Sequence, residues 1–131
     1  MHVRHTVSVK AALYSADGQK ALVMHYPKVS RYGLPGGHLE RNELPDEALP
    51  RELKEELGID SITQMRHVDF FLRGDRGTSV ILAYTAVVPA DTTITPSRPK
   101  KEYGVWVTKD ELRTIDGLSE AYAQHVLNNW P

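Results

Sequence analysis

Every second residue from Val7 to Leu13 is apolar: Val7, Val9, Ala11 and Leu13 alternate with more polar neighbours. That is the period of a strand. Asp17-Gly18 follows as a hairpin turn signal, and ALVMHY, residues 21 to 26, reads as the returning strand. The stretch GLPGG at 33 to 37 breaks regular structure. The spacing then predicts a helix over about Pro45 to Leu57, with Gly58 as its stop.

Two β-rich runs come next, HVDFFL at 67 to 72 and VILAYTAVV at 80 to 88. RGDRG joins them, so a hairpin is predicted. The second run is apolar almost throughout, as a strand covered on both faces requires. Pro89 to Lys101 is a polar, proline-containing loop, and Val105 to Val107 a short strand. Thr108 and Glu111 stand at capping-box spacing, so a helix begins there. Ser119 caps a last helix through Asn128. No repeat or linker interrupts the chain. The pattern predicts one domain over residues 1–131, an α/β/α sandwich with a mixed sheet between helices.

The predicted helix carries the chemistry. PRELKEELG, residues 50 to 58, crowds Glu52, Glu55 and Glu56 into little more than one turn. On a helix they share one face, and their repulsion weakens it by a few tenths of a kcal/mol per pair (~0.2–0.5). Leu53 and Leu57 share another face and can anchor the helix in a core. Ala48, one turn before Glu52, leaves room for a loop to approach. Clustered carboxylates become favourable around a hard divalent cation such as Mg²⁺ or Mn²⁺. The plainer alternative is a solvated acidic face paired with Arg51 and Lys54. Gly36-Gly37 ahead of the helix favours the first reading, because bare backbone can come close to a ligand.

Pro50 conflicts with a helix. An interior proline lacks one hydrogen bond and clashes with the preceding turn, at about 3 kcal/mol. Pro45 suits the first helical position better. A bend or missing hydrogen bond is therefore expected near Asp46 to Pro50, or else a late start.

Composition narrows the chemistry. Of 131 residues, 40% are hydrophobic and 25% charged, an ordinary balance for a soluble domain. The absence of cysteine removes disulfides, thiolate zinc sites and cysteine nucleophiles, and is compatible with a cytoplasmic location. A net charge of −1 gives no basic footprint for duplex nucleic acid. The densest basic cluster, Arg98, Lys100 and Lys101, is local. No apolar run reaches membrane-spanning length, and the N-terminus lacks a signal-peptide core.

Taken whole, GHLERNELPDEALPRELKEELGI, residues 37 to 59, resembles the signature of the Nudix (MutT-like) hydrolase family. Gly37, Glu43, Arg51, Glu52, Leu53, Glu55, Glu56, Gly58 and Ile59 fill its specified positions. The resemblance implies a Nudix fold and pyrophosphohydrolysis with Mg²⁺ or Mn²⁺. It implies that Glu52, Glu55 and Glu56 ligate metal, with the Gly37 carbonyl as a further ligand. Glu52 or Glu55 would orient or deprotonate the water. Glu43 and Arg51 would pair and hold the loop to the helix. Family members often use an acidic residue before the last sheet segment, and Glu102 in KKEYGVWV matches it; otherwise Glu102 is a surface residue among lysines. Asp75 in RGDRG is a weaker candidate.

The expected substrate is a nucleoside triphosphate, cleaved to a monophosphate and pyrophosphate, an expectation that rests on compact size and the absence of an accessory domain. ADP-ribose, a dinucleoside polyphosphate and a nucleotide sugar are the alternatives. A nucleotide sensor on the same fold is the non-enzymatic one. The expected partner is thus a small nucleotide, with a homodimer as an option and neither duplex nucleic acid nor membrane. His38 reads as a strand residue with a satisfied ring. The remaining histidines show no paired metal spacing. Tyr32, Tyr103 and Trp106 read as core aromatics before base-stacking ones.

Overall fold

A computed structural model describes residues 2, 4–74, 77–94 and 101–131. Asp75, Arg98 and Lys100 lie outside the described residues. Seven strands and three α-helices are described: β1 (Thr6–Ser15), β2 (Lys20–Tyr26), β3 (Arg31–Gly33), β4 (Gly36–His38), α1 (Pro45–Leu57), β5 (Thr63–Arg73), β6 (Ser79–Val88), β7 (Tyr103–Thr108), α2 (Lys109–Thr114) and α3 (Glu120–Asn128). Among the described residues no helix is long and apolar enough to cross a membrane.

The strands make one mixed sheet in the order β3-β2-β1-β6-β5, with β4 paired to β1 and β7 to β2. β1 and β6 run parallel; the other pairs are antiparallel. Alternation along β1 sends Val9, Ala11 and Leu13 to one face, where Ala48, Leu49, Leu53 and Leu57 of α1 cover them. It sends Ala12 and Tyr14 to the other face, against Leu112 of α2 and Tyr122 and Val126 of α3. The sandwich is the α/β/α arrangement that the pattern predicts.

Two differences bear on function. GLPGG is not merely a break. Gly33 ends β3, and Gly36 and Gly37 begin β4, which pairs with β1 through Val9↔Gly37 and Lys10↔Gly36. Three-residue strands carry too little alternation to announce themselves. Second, β5 begins at Thr63, four residues before the predicted run. Its first part, TQMRH, has Met65 as its one apolar residue and is interrupted by register shifts, with Gln64 at φ +54°.

α1 begins at Pro45 and continues through Pro50. It does not start late. Proline has no N–H, so the bond from position 50 to the Asp46 carbonyl is missing, as expected. Pro50 is exposed, so water can satisfy that carbonyl. At the start, Glu47 accepts from the Leu44 N–H at 2.9 Å. At the end Gly58 takes φ +66° and donates to the Leu53 and Lys54 carbonyls.

Candidate functional site

The site is built where α1 passes over β4 and the start of β7. Gly36 and Gly37 permit that approach. A methyl group on Gly36 would sit 1.9 Å from the Val9 carbonyl oxygen, and φ is +138°. A methyl group on Gly37 would sit 2.5 Å from the carboxyl carbon of Glu52. Only bare backbone fits between β1 and the acidic face of α1.

Arg51 organises the loop on one side of the helix. Its Nε and Nη2 donate to the two oxygens of Glu43 at 2.6 and 2.8 Å, a bidentate pair. Nη2 also donates to the His38 carbonyl at 3.1 Å. Nη1 reaches Glu52 at 3.1 Å and Glu55 at 3.2 Å. Glu43 in turn accepts from the Glu40 N–H at 2.9 Å. The Arg51 guanidinium holds the Glu43 carboxyl down at about 2. This is the pairing the family signature implies, with the loop carbonyl as a further anchor.

Glu52, Glu55, Glu56 and Glu102 line one small cavity of about 90 Å³. Glu102, which directly precedes β7, is therefore brought to the acidic face by the fold, from 46 positions along the chain from Glu56. Glu56 accepts from the Gly36 N–H at 2.8 Å. Burial pushes its carboxyl up from 4.5 to about 7, against the Gly36 bond and the Lys10 charge; Glu52 and Glu102 push it the same way as burial. Glu55 is the most open of the three helical carboxylates bonded to Arg51 or Gly36, with its side chain 56% exposed.

Two residues missed at the sequence level stand beside them. Lys10 of β1 places Nζ 3.4 Å from the Gly36 carbonyl. Burial lowers its pKa, while Glu56, Glu52 and Glu102 raise it. Burial, Glu56 and Glu102 together raise the phenol of Tyr26. The available signal was Lys10 itself, the one charged residue in the central strand.

The donor set suits a hard cation, since all four side chains offer carboxylate oxygens. Among the described residues, however, no three acidic or histidine side chains stand in a ready-made metal geometry. The contacts above give the reason. Arg51 bonds Glu52 and Glu55 on one side, and the Gly36 N–H bonds Glu56 on the other. Gly37 stands opposite Val9, with bonded pairs Ala11–Pro35 and Val7–Leu39 two residues to either side. By ladder alternation its carbonyl faces β1.

The other candidates separate cleanly. The His38 ring bonds Ser8 Oγ at 3.0 Å, the satisfied strand histidine that was expected. Tyr32 and Trp106 are half-buried against the two cores. Tyr103 is not a core residue; it is 42% exposed and meets the His25 ring edge-on at 5.2 Å. Across the sheet, Arg31, Tyr32, Arg73, Ser119 and Tyr122 line a cavity of about 290 Å³.

Residues 4–127 match the family model described as the NUDIX domain. One stretch of 35 residues is 60% identical to the 8-oxo-dGTP diphosphatase of Proteus vulgaris; it covers 27% of this chain and 30% of that protein. The match thus spans under a third of the relative's length. Among solved structures, a NUDIX-family hydrolase from Clostridium perfringens superposes with a TM-score of 0.80 at 21% identity, over 97% of this chain and 96% of that one. The NUDIX domain of Shewanella oneidensis NrtR, complexed with ADP ribose, gives 0.77 at 20% identity, over 96% and 86%. At such identities these structures show a shared fold.

Proposed function

This chain belongs to the Nudix family, and from that premise we propose that it is a metal-dependent pyrophosphohydrolase acting on a nucleoside triphosphate. The products would be a monophosphate and pyrophosphate. The observation that carries the reading is the meeting of Glu52, Glu55, Glu56 and Glu102 at one cavity, against a side-chain-free turn. A structural acidic face has no use for a carboxylate delivered from β7. The name of the Proteus vulgaris relative supports a purine triphosphate as the first compound to test.

Glu52, Glu55, Glu56 and Glu102 would hold Mg²⁺ or Mn²⁺, whereas the Gly37 carbonyl, which the ladder turns toward β1, is not counted among the donors. Such an ion, when bound, supplies charge neutralisation at the phosphates and lowers the pKa of water. The chain's own part is positional. Arg51 clamps Glu43 and the His38 carbonyl, so the glycine turn and the acidic face keep one distance. Glu52 or Glu55 would take the proton of the attacking water, and Glu102 would complete the anionic set. Lys10 balances part of the negative charge before a ligand arrives. The cysteine-free composition suits a reducing cytoplasm.

A screen of nucleoside triphosphates, ADP-ribose, dinucleoside polyphosphates and nucleotide sugars tests this directly. Monophosphate is measured by a coupled phosphatase, with Mg²⁺, Mn²⁺ or chelator. Turnover of triphosphates that stops with chelator is expected. Tight nucleotide binding without turnover under every metal condition would instead support the sensor reading.

A further inference from the structure

We propose that β5 is a dimerisation strand, pairing antiparallel with β5 of a second copy of this chain about a two-fold axis through Phe71. β5 is the outer strand of the sheet, so one long side of it lacks a partner strand among the described residues. It also carries two of the most exposed large apolar side chains of the protein, Phe70 at 66% and Leu72 at 60%. An exposed apolar edge strand invites pairing with another chain.

The hydrogen-bond pattern fixes which groups are free. Thr6 donates its N–H to the Thr78 carbonyl, so the even-numbered residues of β6 turn toward β1. Its odd-numbered residues Ser79, Ile81 and Ala83 therefore turn toward β5, where their partners are Arg73, Phe71 and Asp69. Phe70 and Leu72 are left with N–H and C=O pointing outward. The contact of the Phe70 N–H agrees, since it bonds the Asp69 carboxylate at 2.8 Å and not the ladder.

Outward residues must meet outward residues, so a two-fold axis can pass only through a residue. Centred on Asp69, it opposes two carboxylates. Centred on Phe70, it sets Asp69 against the partner's Phe71. Centred on Phe71, it matches everything. Phe70 then lies opposite the partner's Leu72, and the two pairs exchange four main-chain hydrogen bonds. Phe71 faces the partner's Phe71. Asp69 faces the partner's Arg73 at both ends, joining opposite charges.

The surroundings agree with this extent. A register shift between His67 and Asp69 ends regular pairing on one side, and the strand ends at Arg73 on the other. Half-buried Val80 and Leu82 lie beside Leu72 and Phe70 on the same face, and Leu44, 65% exposed, borders a cavity that includes Leu82. Arg73 keeps its bond to Ser119 Oγ at 2.7 Å and its place over Tyr122. A guanidinium has donors to spare for a carboxylate as well. Neither Phe70 nor Asp69 belongs to the acidic site, so this inference stands apart from the proposed activity.

Sedimentation equilibrium of the purified chain from about 1 to 100 µM, a range suited to a small interface, tests it. The unaltered chain is expected to associate to a dimer. Phe70→Asp should weaken the dimer at least tenfold, with circular dichroism and turnover unchanged because the side chain is exposed. Asp69→Arg should do the same by opposing two arginines, and adding Arg73→Asp should restore the dimer. A chain that stays monomeric at 100 µM overturns the proposal. So does a dimer indifferent to Phe70→Asp, or one that the charge swap fails to restore.

Discussion

Glu56 is the acidic-site carboxylate that burial makes hardest to ionise. Its carboxyl titrates at about 7 in the folded chain against 4.5 ordinarily. The folded state therefore keeps a proton that the unfolded chain releases. Without metal, stability should fall as pH rises from about 4.5 to about 7 and level off above, by roughly 1–3 kcal/mol. Urea unfolding in chelator at several pH values measures this. Glu56→Gln should flatten the curve and retain the fold. Its turnover should drop by about two orders of magnitude or more, because charge neutralisation and water activation act together. Lys54→Gln is the control: Lys54 is exposed and its carboxylate partner is Asp60, at 3.7 Å. It should leave the rate unchanged.

Neighbouring glycines should respond differently. Gly36→Ala places a methyl group against a backbone carbonyl at a positive φ, so strands would have to move. We expect a loss of more than about 2 kcal/mol, or no folded protein. Gly37→Ala meets only the end of the Glu52 side chain, which can swing aside. That variant should melt near the parent temperature, while the metal concentration for half-maximal activity rises tenfold or more. Equal damage to stability from both would refute this distinction.

Among the elements, α1 shows how far local rules reach. Pro45 at its start, Gly58 at its stop and the apolar stripe of Leu53 and Leu57 were legible in the chain. Pro50 violates the helix rules, yet the helix persists because burial of that stripe outweighs one missing bond. Pro50→Ala restores the bond to the Asp46 carbonyl. It should stabilise the protein by about 1–2 kcal/mol, part of the intrinsic penalty being offset by the greater freedom of the unfolded chain. A Pro50→Ala variant with a lower urea midpoint would overturn this expectation. The short strands β3 and β4 are the opposite case. Their sequences, RYG and GGH, are too short to show a period, and they exist because β1 and β2 offer edges to complete.

At the scale of the molecule, the sheet does what no segment can. β1 lies in its centre, takes β4 beside its first half and β2 beside its last, and so seats the glycine turn under α1. β7 pairs with β2 and delivers Glu102 to the same place. Glu102→Gln should therefore reduce turnover by tenfold or more without lowering the melting temperature. A parent-like rate would remove Glu102 from the site.

The sequence by itself determined the layers and the acidic helical face, which are matters of period, and its fixed spacing carried the family resemblance that implied the Arg51–Glu43 pairing. Only the tertiary structure decided that Lys10, Tyr26 and Glu102 gather around Glu56, that Tyr103 stays exposed, and that Phe70 and Leu72 line an edge without a partner strand among the described residues. Those facts depend on which strands become neighbours. Strand order is set by burial summed over the whole sheet, a quantity that no local pattern contains.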